Sequence, residues 1–102
     1  MREAHVSPAL AVDRPRQAVG IDLVELPEGL LVRQSRSRQA HQLNNTASVV
    51  LALCDGQRTV ADTAGALAEA FALTVPPLRE TAACVADLRR AGVLACYAEG
   101  PF

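Results

Sequence analysis

"LNNTASVVLALCDGQRTVADTAGALAEAF", from Leu43 to Phe71, decides the fold. An Asn side chain accepts from the orphan N–H groups of a first helical turn, so Asn44 or Asn45 can cap a helix. Ala47, Val50, Leu51 and Cys54 follow at helical spacing and give that helix one apolar face. Asp55-Gly56 ends it. Thr59, with Asp62 three residues on, has the form of a capping box with Asp in place of Glu. Val60, Ala64, Leu67 and Phe71 form the buried stripe of the helix it opens. The stretch therefore reads as two short helices, over residues 45–54 and 59–72, joined by a tight turn.

Downstream, Thr74 can cap a third helix, with Pro76 and Pro77 tolerated in its first turn. Thr81, Cys84, Val85 and Leu88 share one face. Arg89 and Arg90 fall in the last turn, where the helix dipole favours cations. Gly92 supplies a left-handed stop, after which Val93 can fold back on Leu88.

Upstream the period changes. Val19, Ile21 and Leu23 alternate with Gly20 and Asp22, the pattern of a half-buried strand. In "LPEGLL" Pro27 presets a type I turn and Gly29 closes a hairpin with a bulge. Leu30 to Gln34 is the return strand, "SRSR" from Ser35 to Arg38 a looser turn, and Gln39 to Leu43 a short third strand. The expected fold class is α+β: a three-stranded antiparallel sheet followed by three helices, winged helix-turn-helix-like, sharing one small core. Residues 1–18 mix Pro, Arg, Ala and Asp without period and are expected to form a flexible arm. A domain over 19–95 and a tail over 96–102 complete the division.

Composition narrows the function classes. Half of the 102 residues are hydrophobic but only 3% are aromatic, with no Trp, so the core is Leu, Val and Ala and platforms for base stacking are scarce. A net charge of −1 disfavours nucleic acid. Cys54, Cys84 and Cys96 are odd in number and match no zinc or redox spacing, the usage of a reducing compartment. No signal peptide and no membrane-length apolar run is present, so a cytoplasmic location is expected.

Catalytic chemistry is not evident. His5 lies in the arm, and His41 has no Cys or carboxylate at ligand spacing, which suits a half-buried strand histidine. Neither GxxxxGK nor GxGxxG occurs, so no phosphate cradle is expected, nor any cofactor or metal. Arg33, Arg36 and Arg38 cluster about the second turn, and Arg79, Arg89 and Arg90 lie on the third helix. These are solvated surface charge, or two patches able to attract an acidic ligand. The third helix opens on "TVPPLRET", a poor base-reading surface. A third strand at the sheet edge is another matter. Its unpaired N–H and C=O groups are a liability unless covered, or unless an extended peptide adds there as a further strand.

The same stretch, followed by "VADLRRAGVL", resembles the PqqD family of small peptide-chaperone proteins. The carriers are Leu43-Asn44, Asp55-Gly56, Arg58-Thr59-Val60, Asp62 and Leu88-Arg89-Arg90-Ala91-Gly92-Val93-Leu94, within roughly residues 20 to 95. Thr63 stands where an aliphatic residue is common, and "AHQ" replaces the aromatics often found before Leu-Asn.

The resemblance implies a non-catalytic RiPP recognition element, a domain that binds the leader of a ribosomally made precursor peptide and presents it to a tailoring enzyme, such as a radical SAM enzyme, or to a leader protease. It implies a leader strand added to a third strand from Arg38 to Leu43, with Arg38, Gln39, Ala40, His41 and Gln42 offering backbone bonds. It implies a facing helix that supplies Thr81, Cys84, Val85, Leu88 and Arg89, with Leu43 and Leu88 also candidates for core. Arg38 and Arg89 would pair with leader carboxylates. The expected oligomeric state is a monomer or weak homodimer. The alternatives are a small winged helix-turn-helix DNA-binding regulator and a module that dimerises by edge-strand pairing.

Overall fold

The structure, a computed structural model, describes residues 13–95. Strands β1 (Ile21–Leu26), β2 (Gly29–Gln34) and β3 (Ala40–Leu43) form an antiparallel sheet in that order. Helices α1 (Asn45–Leu53), α2 (Val60–Ala70) and α3 (Leu78–Arg90) follow. This is the α+β, winged helix-turn-helix-like architecture expected from the hydrophobic periods.

Register decides which sheet face is buried. Leu23 stands opposite Val32, and Val32 opposite His41. Strand alternation then places Ile21, Leu30, Val32 and Leu43 on one face, against the helices. There they join Val50, Leu51 and Cys54 of the α1 end, Val60 and Leu67 of α2, and Val85 and Leu88 of α3. The core is built of aliphatic side chains and one thiol, as the lack of aromatics required.

The helix ends follow local chemistry. Asn44, rather than Asn45, caps α1 by accepting the Ala47 N–H at 2.9 Å. The Thr59 hydroxyl accepts the Asp62 N–H at 3.0 Å, and the Asp62 carboxylate accepts the Thr59 N–H at 3.1 Å, which completes the capping box. That second bond holds the Asp62 carboxyl below the usual carboxylate range. Thr63 is fully buried, and its hydroxyl donates to the Thr59 carbonyl at 3.0 Å, so the position packs without an unpaired polar atom. After α3, Gly92 at φ +83° sends its N–H to the Arg89 carbonyl at 3.0 Å, and Val93 sends its N–H to the Leu88 carbonyl at 3.0 Å. This is a Schellman stop, with Val93 and Leu88 both in the core.

Four expectations need correction. Gly29 stands opposite Leu26, so Pro27-Glu28 is a two-residue turn without a bulge. Space demands the glycine: at φ +153° a Cβ would collide with the Leu43 carbonyl oxygen. Second, β3 starts at Ala40, because Arg38 at φ +61° keeps the chain in the turn and donates its N–H to the Gln34 carbonyl at 2.8 Å. Third, α3 starts at Leu78, with Pro77 at the N-cap and no side-chain bond. Thr74 is no cap, and the prolines precede the helix because a residue before Pro avoids the helical region. Fourth, Phe71 is 43% exposed instead of completing a buried stripe.

A further correction concerns the expected arm. Its first dozen residues, His5 among them, lie outside the described residues, as do Cys96 and the rest of the tail. The part from Asp13 to Ala18 is packed. Val60 donates its N–H to the Asp13 carbonyl at 3.1 Å, and Gly56 to that of Pro15 at 2.9 Å. Gln17 donates to the Cys54 carbonyl at 3.2 Å, and Ala18 to that of Val93 at 3.0 Å. The segment is thus a strap across the α1–α2 turn and the chain beyond α3. Its anchor is a two-pronged ion pair, in which the Arg89 guanidinium donates to Asp13 Oδ1 at 2.7 Å and Oδ2 at 2.8 Å. The two side chains are 12% and 5% exposed, so the pair is largely dry.

Removing one partner of a buried pair strands the other charge. Asp13→Ala is expected to lower the unfolding free energy by about 3–5 kcal/mol. Asp22→Ala, which removes the exposed partner of Arg33, is expected to change it by less than about 1 kcal/mol. Urea titration followed by circular dichroism checks both, and equal midpoints for the two variants would refute the anchoring role of Asp13.

Candidate functional site

β3 is a sheet edge with no described strand on its far side. Two bonds set the phase of its backbone. Gln34 donates its N–H to the Gln39 carbonyl at 2.9 Å, and Ser35 donates to the Gly20 carbonyl at 3.0 Å. Successive residues of an antiparallel strand turn to opposite neighbours. Gln39, His41 and Leu43 therefore turn their backbone groups to β2, while Ala40 and Gln42 turn theirs to the open side. Of the backbones expected to offer bonds, only these two do so. The Arg38 N–H and the Gln39 carbonyl are already engaged with Gln34. The His41 ring is half-buried, with Nε2 2.9 Å from Gln34 Oε1.

Beyond the C-terminal end of β3 lies an apolar hollow of about 370 Å³ between the helices. Thr46 and Val50 of α1 form one wall, and Leu67 and Phe71 of the α2 end form another. Pro77, Glu80, Thr81 and Cys84 form the α3 side, and Leu73 completes the rim. Thr46 follows Leu43 by three residues, so the edge of β3 leads to the hollow. At the other end, Gly92 after α3 lies against the Gln34 side chain. α3 thus runs opposite in direction to β3.

The eleven sequence candidates divide accordingly. Ala40 and Gln42 line the open edge, Gln39 and His41 turn their backbone groups to β2, and Thr81 and Cys84 line the hollow. Thr81 is buried and spends its hydroxyl on the Pro77 carbonyl at 2.7 Å. Leu43, Val85 and Leu88 are core. Arg38 is exposed in the turn. Arg89 is not a free cation facing a leader, because it spends its guanidinium on Asp13 and on the Ala95 carbonyl at 3.1 Å. Sequence reasoning missed Thr46, Leu73, Pro77 and Glu80 as lining residues. The adjacency of Leu73 to a proline pair that delays α3 was the available signal.

The thiols are electrostatically quiet. Burial pushes Cys54 up to about 12, and burial followed by the Asp87 carboxylate raises Cys84. Among the described residues, no three His, Cys, Asp or Glu side chains are grouped to hold a metal ion. No described helix is long and apolar enough to cross a membrane.

Comparison with known proteins bears on this geometry. The model of the PqqD family, described as coenzyme PQQ synthesis protein D, matches residues 28–94. A solved structure described as lasso peptide synthetase B1 complexed with the leader peptide superposes with a TM-score of 0.68. The match covers 81% of this chain and 99% of that chain at 24% identity, which shows a shared fold. Comparison with curated proteins gives no match.

The raised thiol pKa values give a signed pH expectation. Both groups stay protonated in the folded chain, so their stabilising contribution is complete below the unfolded thiol pKa and is lost as pH rises through the folded values. Stability is therefore expected to fall above about pH 9. With iodoacetamide at pH 8 and peptide mapping by mass spectrometry, Cys84 is expected to label slowly and Cys54 only after urea is added. Fast labelling of Cys54 in the folded chain would contradict its burial.

Proposed function

The chain belongs to the PqqD family, and on that footing we propose that it binds the leader region of a ribosomally synthesised precursor peptide. The leader adds as a fourth strand on β3 and presents the precursor to a modifying enzyme or leader protease. The product is a modified peptide or pyrroloquinoline quinone. The observation that carries this reading is the open edge at Ala40 and Gln42, which leads to an apolar hollow. Backbone bonds to those two residues supply affinity that is indifferent to sequence, and the hollow selects an apolar leader side chain. That the shared fold occurs in a lasso peptide synthetase solved with a leader peptide supports the same reading. The role is binding and presentation without catalysis, and the partners are a peptide and an enzyme rather than nucleic acid.

Energetics favour this arrangement over a rigid preformed clamp. Phe71 and Leu73, both near 43–44% exposed, sit at the rim of the hollow, where a bound side chain would cover them. Burying apolar area contributes about 25 cal/mol per Å² before the costs of ordering the peptide are subtracted.

Fluorescence anisotropy with labelled leaders of candidate precursor peptides tests the reading. Saturable binding is expected, with random duplex DNA unbound. Ala40→Pro deletes an N–H that no ladder bond uses, so it is expected to weaken leader binding at least tenfold while the thermal midpoint shifts little. Cys84→Phe, which fills the hollow, is expected to do the same. Leader binding that survives both substitutions would place the site elsewhere, and salt-sensitive DNA binding without leader binding would overturn the proposal.

A further inference from the structure

β1 is the other edge of the sheet, with no described strand beyond it. Because the Ser35 N–H donates to the Gly20 carbonyl, Arg33 and Leu31 also turn their backbone groups to β1, and their partners Asp22 and Val24 turn to β2. Ile21, Leu23 and Glu25 therefore turn theirs outward. Leu23 shares the helix side with Val32 opposite it, yet it is 42% exposed, since α1 packs chiefly under β2 and β3. Val24 on the far face and Val19 just before the strand are also exposed. The two ends of this edge differ in charge. At its start, a hollow of about 550 Å³ lined by Val19, Gly20 and Ile21 carries Arg36. At its end, a hollow of about 560 Å³ lined by Leu26, Leu30, Val49 and Leu53 carries Glu25. Neither lining holds a second charged side chain. Opposite charges close by are matched elsewhere: Asp22 pairs with Arg33, and Arg58, which donates to the Leu53 carbonyl, pairs with Asp55.

From these features we propose that β1 pairs with β1 of a second copy of this chain, antiparallel about a two-fold axis at Leu23. A two-fold contact must be self-complementary, and this edge is. Turned end for end, the Arg36 end of each copy meets the Glu25 end of the other, whereas copies laid the same way would set like charges together. Centring on Leu23 is the register that uses every outward backbone group of β1. Ile21 stands opposite Glu25 of the other copy, and Leu23 opposite Leu23. The two exposed leucines then cover each other on the helix side, and Val19 of each copy comes beside the hairpin end of its partner. The two three-stranded sheets become one of six strands. A single pair of six-residue strands lies at the low end of interface sizes, so the dimer is weak and concentration-dependent. Both β3 edges stay open at the outer ends of the joined sheet, so the pairing is independent of peptide binding there.

The test is sedimentation equilibrium of the full chain from micromolar to millimolar concentration. The weight-average mass is expected to climb from one chain toward two. Leu23→Lys, which sets like charges against each other on the axis, is expected to weaken association about tenfold. Glu25→Arg and Arg36→Glu are each expected to weaken it about fivefold at low salt and less at high salt, since each loss occurs twice in the dimer. The chain with both reversals is expected to regain most of the association, which matched ends produce and general destabilisation does not. All three side chains are exposed, and circular dichroism confirms the fold of each variant. Ala40→Pro, on the opposite edge, is expected to leave association unchanged, and Leu23→Lys to leave leader binding unchanged. A chain that stays monomeric throughout overturns the proposal. So does association that Ala40→Pro abolishes and Leu23→Lys spares, and so do paired reversals that fail to restore it. Association without leader binding would sink the leader reading and leave this pairing standing.

Discussion

The Asp13–Arg89 pair is the interaction on which the arrangement of the rest depends. It joins the start of the described chain to the last turn of α3. Between them the strap passes the α1–α2 turn and takes up backbone groups at Cys54, Gly56 and Val60 that would otherwise face solvent or each other. A pair this dry contributes little net stability by comparison with an apolar replacement. What it supplies is position, because only one placement of the strap satisfies both charges. The orientation of α3 is fixed at its C-terminal end, and its N-terminal end, which has no side-chain cap, is left as the wall of the hollow.

The same pair decides what the site is made of. With Arg89 turned to Asp13, the exposed cations near β3 include Arg36 and Arg38 of the β2–β3 turn. The open edge is short, with two residues turned outward, and it is flanked by Arg36 and Arg38. A long flat apolar edge would invite aggregation, whereas a short one beside charges stays available for a peptide with the right partners. Under the proposed strand addition, peptide binding and protection against edge pairing rest on the same few residues.

Local chemistry was legible in the sequence, and distant chemistry was not. Asn44, the Thr59–Asp62 box and the Gly92 stop could be read because each acts within about five residues through groups whose geometry follows from residue type. The antiparallel sheet and three-helix order followed from a change of hydrophobic period near Leu43. The strap could not be read this way. Asp13 and Arg89 are 76 residues apart, and nothing near either one announces the other. Arg89 looked like a dipole-stabilising surface cation for the same reason. The start of β3 was misplaced because a non-glycine residue at positive φ, Arg38, leaves no compositional mark. Phe71 looked buried by period, but α2 ends at Ala70 and the helical direction of the stripe ends with it.

The hollow is the structural consequence of a composition that first appeared only to limit the core. With few aromatic residues and small side chains at Thr81 and Cys84, the N-terminal half of α3 does not fill the space against α1 and α2. The two prolines before it prevent an earlier turn of helix from doing so. A larger residue at Cys84 would bury more apolar surface and stabilise the chain, yet it would remove the cavity. The protein therefore keeps a packing defect of about 370 Å³ next to an unpaired strand edge. Either feature alone is a cost to folding. Placed near each other, they suit the proposed ligand, an extended peptide that would bring both a backbone and an apolar side chain.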